Sequence, residues 1–501
     1  MGLFQPAVLN SLGPGIYAVP VTPPPTLPAV GTQTACIVEQ FPWGPSGTGP
    51  YDPSDPADLV FTFFPPGSNW DAAGPAAVLG KGWPDLRLLR VVAATGTAAA
   101  TRGISSATPT LLVTATAKYV GTLGNSIVVL VAAAGNGVST SFKATFTLTG
   151  TSGTTQEVCD NIDTTSANNL AASVKNFLAA SRLIGGFTWA ASGAASAGSS
   201  SFSGGLDGSV AATDYVGTLG TGDKGLALTE GEDDIDLIFF GNPGSFTATA
   251  NAGMQAHVID RGDRIGFISG VQGQTSAQAI TDVASFRADQ LAYVDPWMKQ
   301  ISAQTGLLIT IPAAPLAASI CSQIVPSTHA AWRDPEITTD MMANVRDVEA
   351  VRGNQAKAER DAGIMTLCRK KGGGFLFYAD VTTNSPVNTA QPDIATIRMN
   401  QYIAKSSVDG FQSNVYGPNV PATQTPMRAS LQSFLDELLY NRDHDPQHHP
   451  YLKAASLGAS EAANPQSSLD AGNFVIPVNG KTDSGMIRVF ILENVSPTAA
   501  T

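Results

Sequence analysis

Between about residues 104 and 228 charged side chains become sparse and Ser, Thr, Gly and Ala dominate. This stretch constrains the chain more than any other. TPTLLVTATAKYVG, NSIVVLVAAAG and SFKATFTLTG read as successive strands with turn residues between them. NNLAASVKNFLAASRL carries apolar residues at helical spacing, namely Leu170, Val174, Phe177, Leu178 and Leu183. WAASGAASAGSSSFSGGLDGS is expected as a loop or flexible surface segment. The hexapeptide Tyr-Val-Gly-Thr-Leu-Gly occurs at 119–124 and again at 215–220, with no longer period around it, so no repeat architecture is implied.

The flanks have another character. Residues 1–28 contain GPGIYAVPVTPPPTLP, which cannot be helical and must be extended. Ile16, Tyr17, Val19 and Val21 give it a strand-like apolar component, suited to pairing with another sheet's edge. Residues 29–100 read as a first globular part, with strands in TQTACIVEQF and DPADLVFTFF. After 230 the pattern turns α/β. DDIDLIFFGNPG, DRIGFISG, LLITIP and GGGFLFYADV are four expected strands. SAQAITDVASFRADQLAYV shows a helical stripe at Ile280, Val283, Phe286 and Leu291, and QAKAERDAGIMTLCRKK reads as a basic-ended helix. Strands alternating with helices imply a sheet with crossover connections. Arg428–Asn441 is a helix with one buried face at Leu431, Phe434, Leu435, Leu438 and Leu439, and the chain closes with strands in FVIPV and MIRVFILENV.

Composition excludes several classes. Of 501 residues only 14% are charged, against 43% hydrophobic, and the net charge is -12. A general nucleic-acid binder needs a basic face, and a chain disordered throughout needs more charge and fewer apolar residues. A surface this poor in charge suits a protein that covers much of itself with partners, although composition alone favours the plainer reading of a β domain rich in small residues. The N-terminus lacks the basic and apolar regions of a secretory signal, and the apolar runs are too short or too proline-cut to span a bilayer, so no membrane insertion is expected. Cys36, Cys159, Cys321 and Cys368 show no C-x-x-C spacing and are expected as buried thiols, a disulfide remaining open only outside a reducing compartment.

Chemistry-bearing motifs fail one by one. GPAAVLGKG at 74–82 has the wrong glycine spacing for a phosphate loop and Gly82 where magnesium needs a hydroxyl. No G-x-S-x-G elbow occurs. His444, His448 and His449 crowd one segment with Asp443 and Asp445, but Pro446 and Pro450 make it a solvated loop without a helical i, i+4 ligand pair. GEDDID at 231–236 lacks the alternation and glycine of a calcium loop. Neither an active site, a cofactor nor a metal is expected.

The order of motifs resembles the sheath proteins of contractile phage tails and related injection systems. GPGIYAVPV and VGTQTACIVEQFPWGP resemble the family's opening arm and first core strand. TLLVTATAKYVGTLGNSIVV and FSGGLDGS resemble the start and close of its inserted β-rich domain, and DLIFFGNPG its return to the core. YVDPWMKQISAQTGLLITIPAAPLAASICSQIVPSTHAAWRDP is the most specific stretch, similar to the family's Pro-Trp strand and small-residue helix. AGIMTLCRKKGGGFLFYADVTT and SSVDGFQSNVYGPNVPATQTPMRASLQSFLDELL resemble later core segments. The chain departs from the family at FLFYADVTT, where a Trp-Gly-Ala-Arg-Thr motif is usual, and in its short tail.

The resemblance implies an α/β (α+β) sheath core with an inserted β-rich domain and extended N- and C-terminal arms. The corresponding partition is arm 1–28, core 29–103, inserted domain 104–228, α/β core 229–425, and C-terminal helix, edge strands and tail 426–501. It implies a non-enzymatic subunit of a virion's contractile tail, made in the bacterial host cytoplasm. Its partners would be copies of itself in stacked six-subunit rings, the tail tube, the baseplate and the tail terminator, without direct nucleic-acid contact. Strand exchange between subunits would join Ile16, Tyr17, Val19 and Val21 to an edge at 474–478 or 486–492. That edge carries Phe474, Val475, Ile476, Val478, Ile487, Val489 and Ile491. Lys370 and Lys371 are candidates to touch the tube, although a solvated helix end is the simpler account of them. A bacteriocin-like or secretion-type device is the alternative within the family, and a β-rich surface adhesin the alternative outside it.

Overall fold

The computed structural model describes residues 33–47, 49–51, 85–150, 153–301, 308–331, 346–347, 355–369, 374–387, 393–411, 421–444, 446, 449–458, 464, 473–482 and 486–494. The chain divides into two compact units, one being Gly31–Gln401 and the other including Tyr402–Thr501.

The first unit begins with β1 (Ala35–Glu39) and β2 (Leu86–Arg90), which pair in parallel. Next come β3 (Thr97–Ser105), β4 (Leu111–Val120), β5 (Ile127–Ala133), β6 (Ser141–Gly150), β7 (Gly153–Asp163), helix α1 (Ala167–Ala180), β8 (Ile184–Trp189), β9 (Gly198–Ser201) and β10 (Leu206–Asp207). These strands make two four-stranded antiparallel sheets, ordered β10-β3-β4-β8 and β7-β6-β5-β9. Alternation sends Val113, Ala115 and Ala117 of one sheet and Val129, Val131, Ala144, Phe146 and Leu148 of the other into one apolar core, closed by Leu170 and Val174 of α1. Ser166 caps α1 by accepting from the Asn169 amide at 3.2 Å. Leu183 lies beyond the end of α1, buried at the start of the next strand region.

The expected loop at 189–209 instead contributes β9 and β10, one to each sheet. The serines of β9 carry no apolar alternation, yet their backbone satisfies the edge of β5, while Leu206 and Asp207 satisfy that of β3. In FSGGLDGS the close fit requires Gly205, because a Cβ there would collide with the Gly121 carbonyl.

The remainder of this unit runs through α2 (Ala212–Val216), β11 (Leu237–Phe240), α3 (Thr247–Arg261), β12 (Ile265–Ser269), α4 (Ser276–Val283), β13 (Leu291–Asp295), β14 (Met298–Ile301), β15 (Leu308–Ile311), α5 (Ala314–Gln323), β16 (Arg346–Asp347), α6 (Gln355–Asp361), β17 (Ile364–Arg369), β18 (Phe375–Phe377) and α7 (Ile394–Phe411), the last crossing the division in sequence. The central sheet has the order β16-β17-β13-β12-β11-β1-β2, all parallel, with β18 antiparallel on β17. Both faces are covered, so its strands read as unbroken apolar runs. Ile37, Phe239, Phe267, Val294 and Leu367 enter one core with α5, while Val38, Ile238, Ile268, Tyr293 and Ile364 enter the other with α3 and α4.

Three expectations change here. The helix starting at Ser276 stops at Val283, and Leu291 opens the central strand β13; all five residues of LAYVD are buried, as a two-faced strand requires. QAKAERDAGIMTLCRKK is helical only to Asp361. Gly363, with φ 91°, turns the chain, and the buried IMTLC enters the sheet as β17. A Cβ at Gly363 would also press on the Thr382 and Thr383 carbonyls at 2.9 Å. LLITIP is not in the central sheet: β15 pairs antiparallel with β14 as a separate hairpin. Helices α3 and α7 stand where no helix is expected from the apolar spacing.

The second unit contains α8 (Pro421–His444), β19 (Ala454–Leu457), β20 (Asn473–Lys481) and β21 (Met486–Asn494), the strands forming an antiparallel sheet in that order. Leu431, Phe434, Leu435 and Leu438 are buried and Leu439 half-buried. All four cysteines are buried and none is in a disulfide, and burial pushes the thiols of Cys36, Cys159 and Cys321 up to about 12. Among the described residues no helix is long and apolar enough to cross a membrane.

Candidate functional site

The C-terminal sheet owes its asymmetry to two residues. Along β20 Ile476 and Val478 are buried, while Val475 is half-buried on the opposite face. Helix α8 is tied to the same unit by backbone carbonyls: Arg428 donates to Gly458 O at 3.2 Å, and Arg442 donates to Lys453 O at 3.0 Å. The Leu452 amide donates to Leu438 O at 3.2 Å.

β20 is the central strand. β19 pairs with Val478–Lys481 only, leaving the rest of that edge to other groups. The Gly458 amide donates to Pro477 O at 2.7 Å. Asn464 then acts as a one-residue strand: its side-chain amide donates to Val475 O at 2.7 Å and its oxygen accepts from Val475 N at 2.6 Å. Pro477, which lacks an N–H, therefore faces the β19 side just where β19 ends, and removes nothing from the β21 ladder.

This parity fixes the other edge. Val475, Pro477 and Asn479 direct their backbone groups toward β19, so Phe474, Ile476, Val478 and Gly480 direct theirs toward β21. Their partners are Glu493, Ile491, Val489 and Ile487. Hence Ile487, Val489 and Ile491 spend their backbone groups on β20. The outward groups belong to Met486, Arg488, Phe490, Leu492 and Asn494, on an edge about 30 Å long that is unpaired among the described residues. Of the residues named from sequence, the structure thus brings both sets into one ladder but turns the β21 set inward. Asn464 and the outward residues were missed, since nothing in a side-chain pattern marks backbone parity.

The arm residues Ile16, Tyr17, Val19 and Val21 lie outside the described residues, as do Lys370, Lys371, His448 and Asp445. The two lysines follow β17, a sheet strand, and not the helix end expected for them. His444 ends α8, its ring stacked on Tyr440 with centroids 3.7 Å apart.

A second built feature lies within the first unit. Trp43, from FPWGP, is buried in the core of the two antiparallel sheets, its Nε1 donating to Arg182 O at 3.3 Å and its ring edge-on to Tyr119 at 5.4 Å. Arg90, at the end of β2, donates to Phe41 O at 2.8 Å, to Gly44 O at 2.9 Å and to Val120 O at 2.9 Å. Burial draws this guanidinium down to about 10. One aromatic plug and one multiply bonded cation therefore join the β1–β2 end of the parallel sheet to the β-rich part.

With its eight-strand α/β sheet, the β-rich elaboration after β2 and the C-terminal helix with a three-stranded sheet, the chain is similar in fold to sheath tail proteins. A sheath tail protein of Desulfitobacterium hafniense superposes with a TM-score of 0.61 at 16% identity, covering 95% of this chain and 100% of that one. A sheath tail protein of Listeria innocua gives 0.62 at 14% identity, covering 94% and 96%. A chain of the six-fold-symmetrised anti-feeding prophage baseplate gives 0.50 at 12% identity, covering 98% and 99%. No family model matches the sequence, and no curated protein matches it significantly in sequence.

Proposed function

We propose that the chain is the structural, non-enzymatic subunit of a contractile tail sheath. It would polymerise as stacked six-subunit rings around a tail tube and shorten to drive that tube through a cell envelope. The single observation that carries this reading is the whole-chain likeness in fold to two sheath tail proteins. The β21 edge, unpaired among the described residues, supports it, since a long unpaired edge is a liability in a free monomer and an asset in a polymer.

The linking contact follows from backbone chemistry. Pro20 cannot donate, so an arm strand over Ile16–Val21 must turn Tyr17, Val19 and Val21 toward the acceptor edge. Those three residues would meet the outward groups of Arg488, Phe490 and Leu492 in a neighbouring copy. Six residues span about 20 Å, two thirds of the edge. At about 1 kcal/mol net per hydrogen bond the junction is modest singly and strong when repeated along a polymer. It survives rotation of the bodies because Pro- and Gly-rich linkers absorb the motion. Contraction would draw its free energy from larger contacts between bodies, and needs no nucleotide.

In this reading 104–228 is an outward decoration held by Trp43 and Arg90, and 229–425 faces the tube. Lys370 and Lys371 remain candidates for the tube. Baseplate and terminator proteins would hold the two ends, in a virion or related particle. Electron microscopy of the purified protein tests the proposal: sleeves or stacked rings support it, and a stable monomer at every concentration overturns it.

A further inference from the structure

We propose that His329, Asp380 and Asp393 bind one first-row divalent cation, zinc or manganese in preference to magnesium. The three residues come from separate places in the first unit: the loop after α5, the turn after β18, and the residue that caps α7. The cap is visible in Asp393 Oδ1, which accepts from the Thr396 amide at 2.7 Å.

Each residue offers one ligand atom, and these atoms all lie within 4.8 Å of one another. His329 Nδ1 lies 3.1 Å from Asp380 Oδ2. With metal bonds of about 2.0–2.2 Å to nitrogen and oxygen, two ligands at that separation subtend about 95°, between the octahedral and tetrahedral angles. Drawing the third ligand into the same sphere requires a movement below about 1 Å.

Electrostatics asks for a cation. Asp380 and Asp393 are each only 5% exposed, so two carboxylates share one poorly solvated place. The Arg398 guanidinium lies within Coulombic range of Asp380 and offsets part of that charge. Among the described residues Asp380 Oδ1 is buried with no hydrogen-bond partner, and the other oxygen, Oδ2, pairs with His329, a member of the cluster itself. A buried acceptor left unsatisfied costs on the order of 1–3 kcal/mol. A metal ion bonded to that carboxylate removes the cost and supplies the missing positive charge. One imidazole with two carboxylates suits zinc or manganese, whereas magnesium favours all-oxygen surroundings. His329 is 35% exposed, which gives the ion a path in and leaves room for water ligands. The bound ion would lock the α5 loop, the β18 turn and the head of α7 into one body, whether or not the chain polymerises.

The test is calorimetric titration of chelator-treated full-length protein with ZnCl2, with MnCl2 and MgCl2 as comparators. One saturable zinc or manganese site per chain is expected, with magnesium at least tenfold weaker. Asp380→Asn and His329→Gln should each weaken zinc binding by about tenfold or more and abolish the rise in unfolding temperature that zinc produces. Circular dichroism checks that Asp380→Asn folds. If it does not, the partly exposed His329→Gln decides alone. Absence of a one-to-one site, or an unchanged zinc affinity in His329→Gln, overturns the proposal.

Discussion

The two sheets that matter most treat their edges in opposite ways. In the parallel sheet the outer edge of β2 is closed, among the described residues, by Tyr51, whose amide donates to Leu88 O at 2.8 Å and whose carbonyl accepts from the Leu88 amide at 3.0 Å. In the C-terminal sheet Asn464 closes one side of β20 with its side chain, but β21 has no such guard among the described residues. Chains that spend a residue to cap one edge and leave another open are selecting where pairing occurs. Under the proposed strand exchange, the parallel sheet would be a platform and the C-terminal sheet a socket.

The largest effect comes from proline on the socket. Leu492→Pro removes an outward donor and should abolish polymer formation while leaving the backbone ladder between β20 and β21 intact, so that the monomer unfolds far closer to the parent midpoint than Val489→Pro does. Val489→Pro removes an inward ladder bond and should instead destabilise the unit by about 3 kcal/mol. Sedimentation and thermal unfolding of the pair measure this, and equal behaviour would erase the parity argument. Next, Trp43→Ala should cost about 3–5 kcal/mol, read by chemical denaturation, because it empties a pocket in the β-rich core.

A third test is acid–base. Glu39, at the end of β1, is buried, and desolvation raises its pKa from 4.5 to about 8 despite hydrogen bonds from the Asn242 and Gln40 amides. The native chain therefore holds a proton that the unfolded chain releases above 4.5. Stability should fall as pH rises from about 4.5 to about 8, by on the order of a few kcal/mol, and then level off. Glu39→Gln should flatten that slope. The smallest effect is Asn464→Ala, which strands Val475 N and O at about 1–3 kcal/mol and should let β20 pair promiscuously, seen as light scattering on storage.

Much of this architecture was legible from residues. Strands β4, β5 and β6 alternate cleanly, and the two-faced strands β1, β11 and β12 announce themselves as short apolar runs. Errors arose where burial on both faces mimics a helix. LAYVD and IMTLC extend the apolar spacing of the helices before them, and only the break after Val283 and the turn at Gly363 separate them. Helix α7 escaped because its buried face includes Ser406, Ser407, Arg398 and Gln401, a polar surface that no hydropathy pattern marks. The strands of the C-terminal sheet were visible, but its pairing parity was not, since it depends on Asn464 and Gly458, which lie outside the strands. His329, Asp380 and Asp393 share no motif and meet only through the fold.

The central claim is that one copy's leading strand sits on another copy's β21. A helical cryo-EM reconstruction of the polymer tests it most directly. The account predicts density for residues 16–21 of one subunit along Arg488–Leu492 of a neighbour, with Tyr17, Val19 and Val21 facing the edge. A β21 edge left bare in the polymer, or filled by the same copy's own segment, would contradict it.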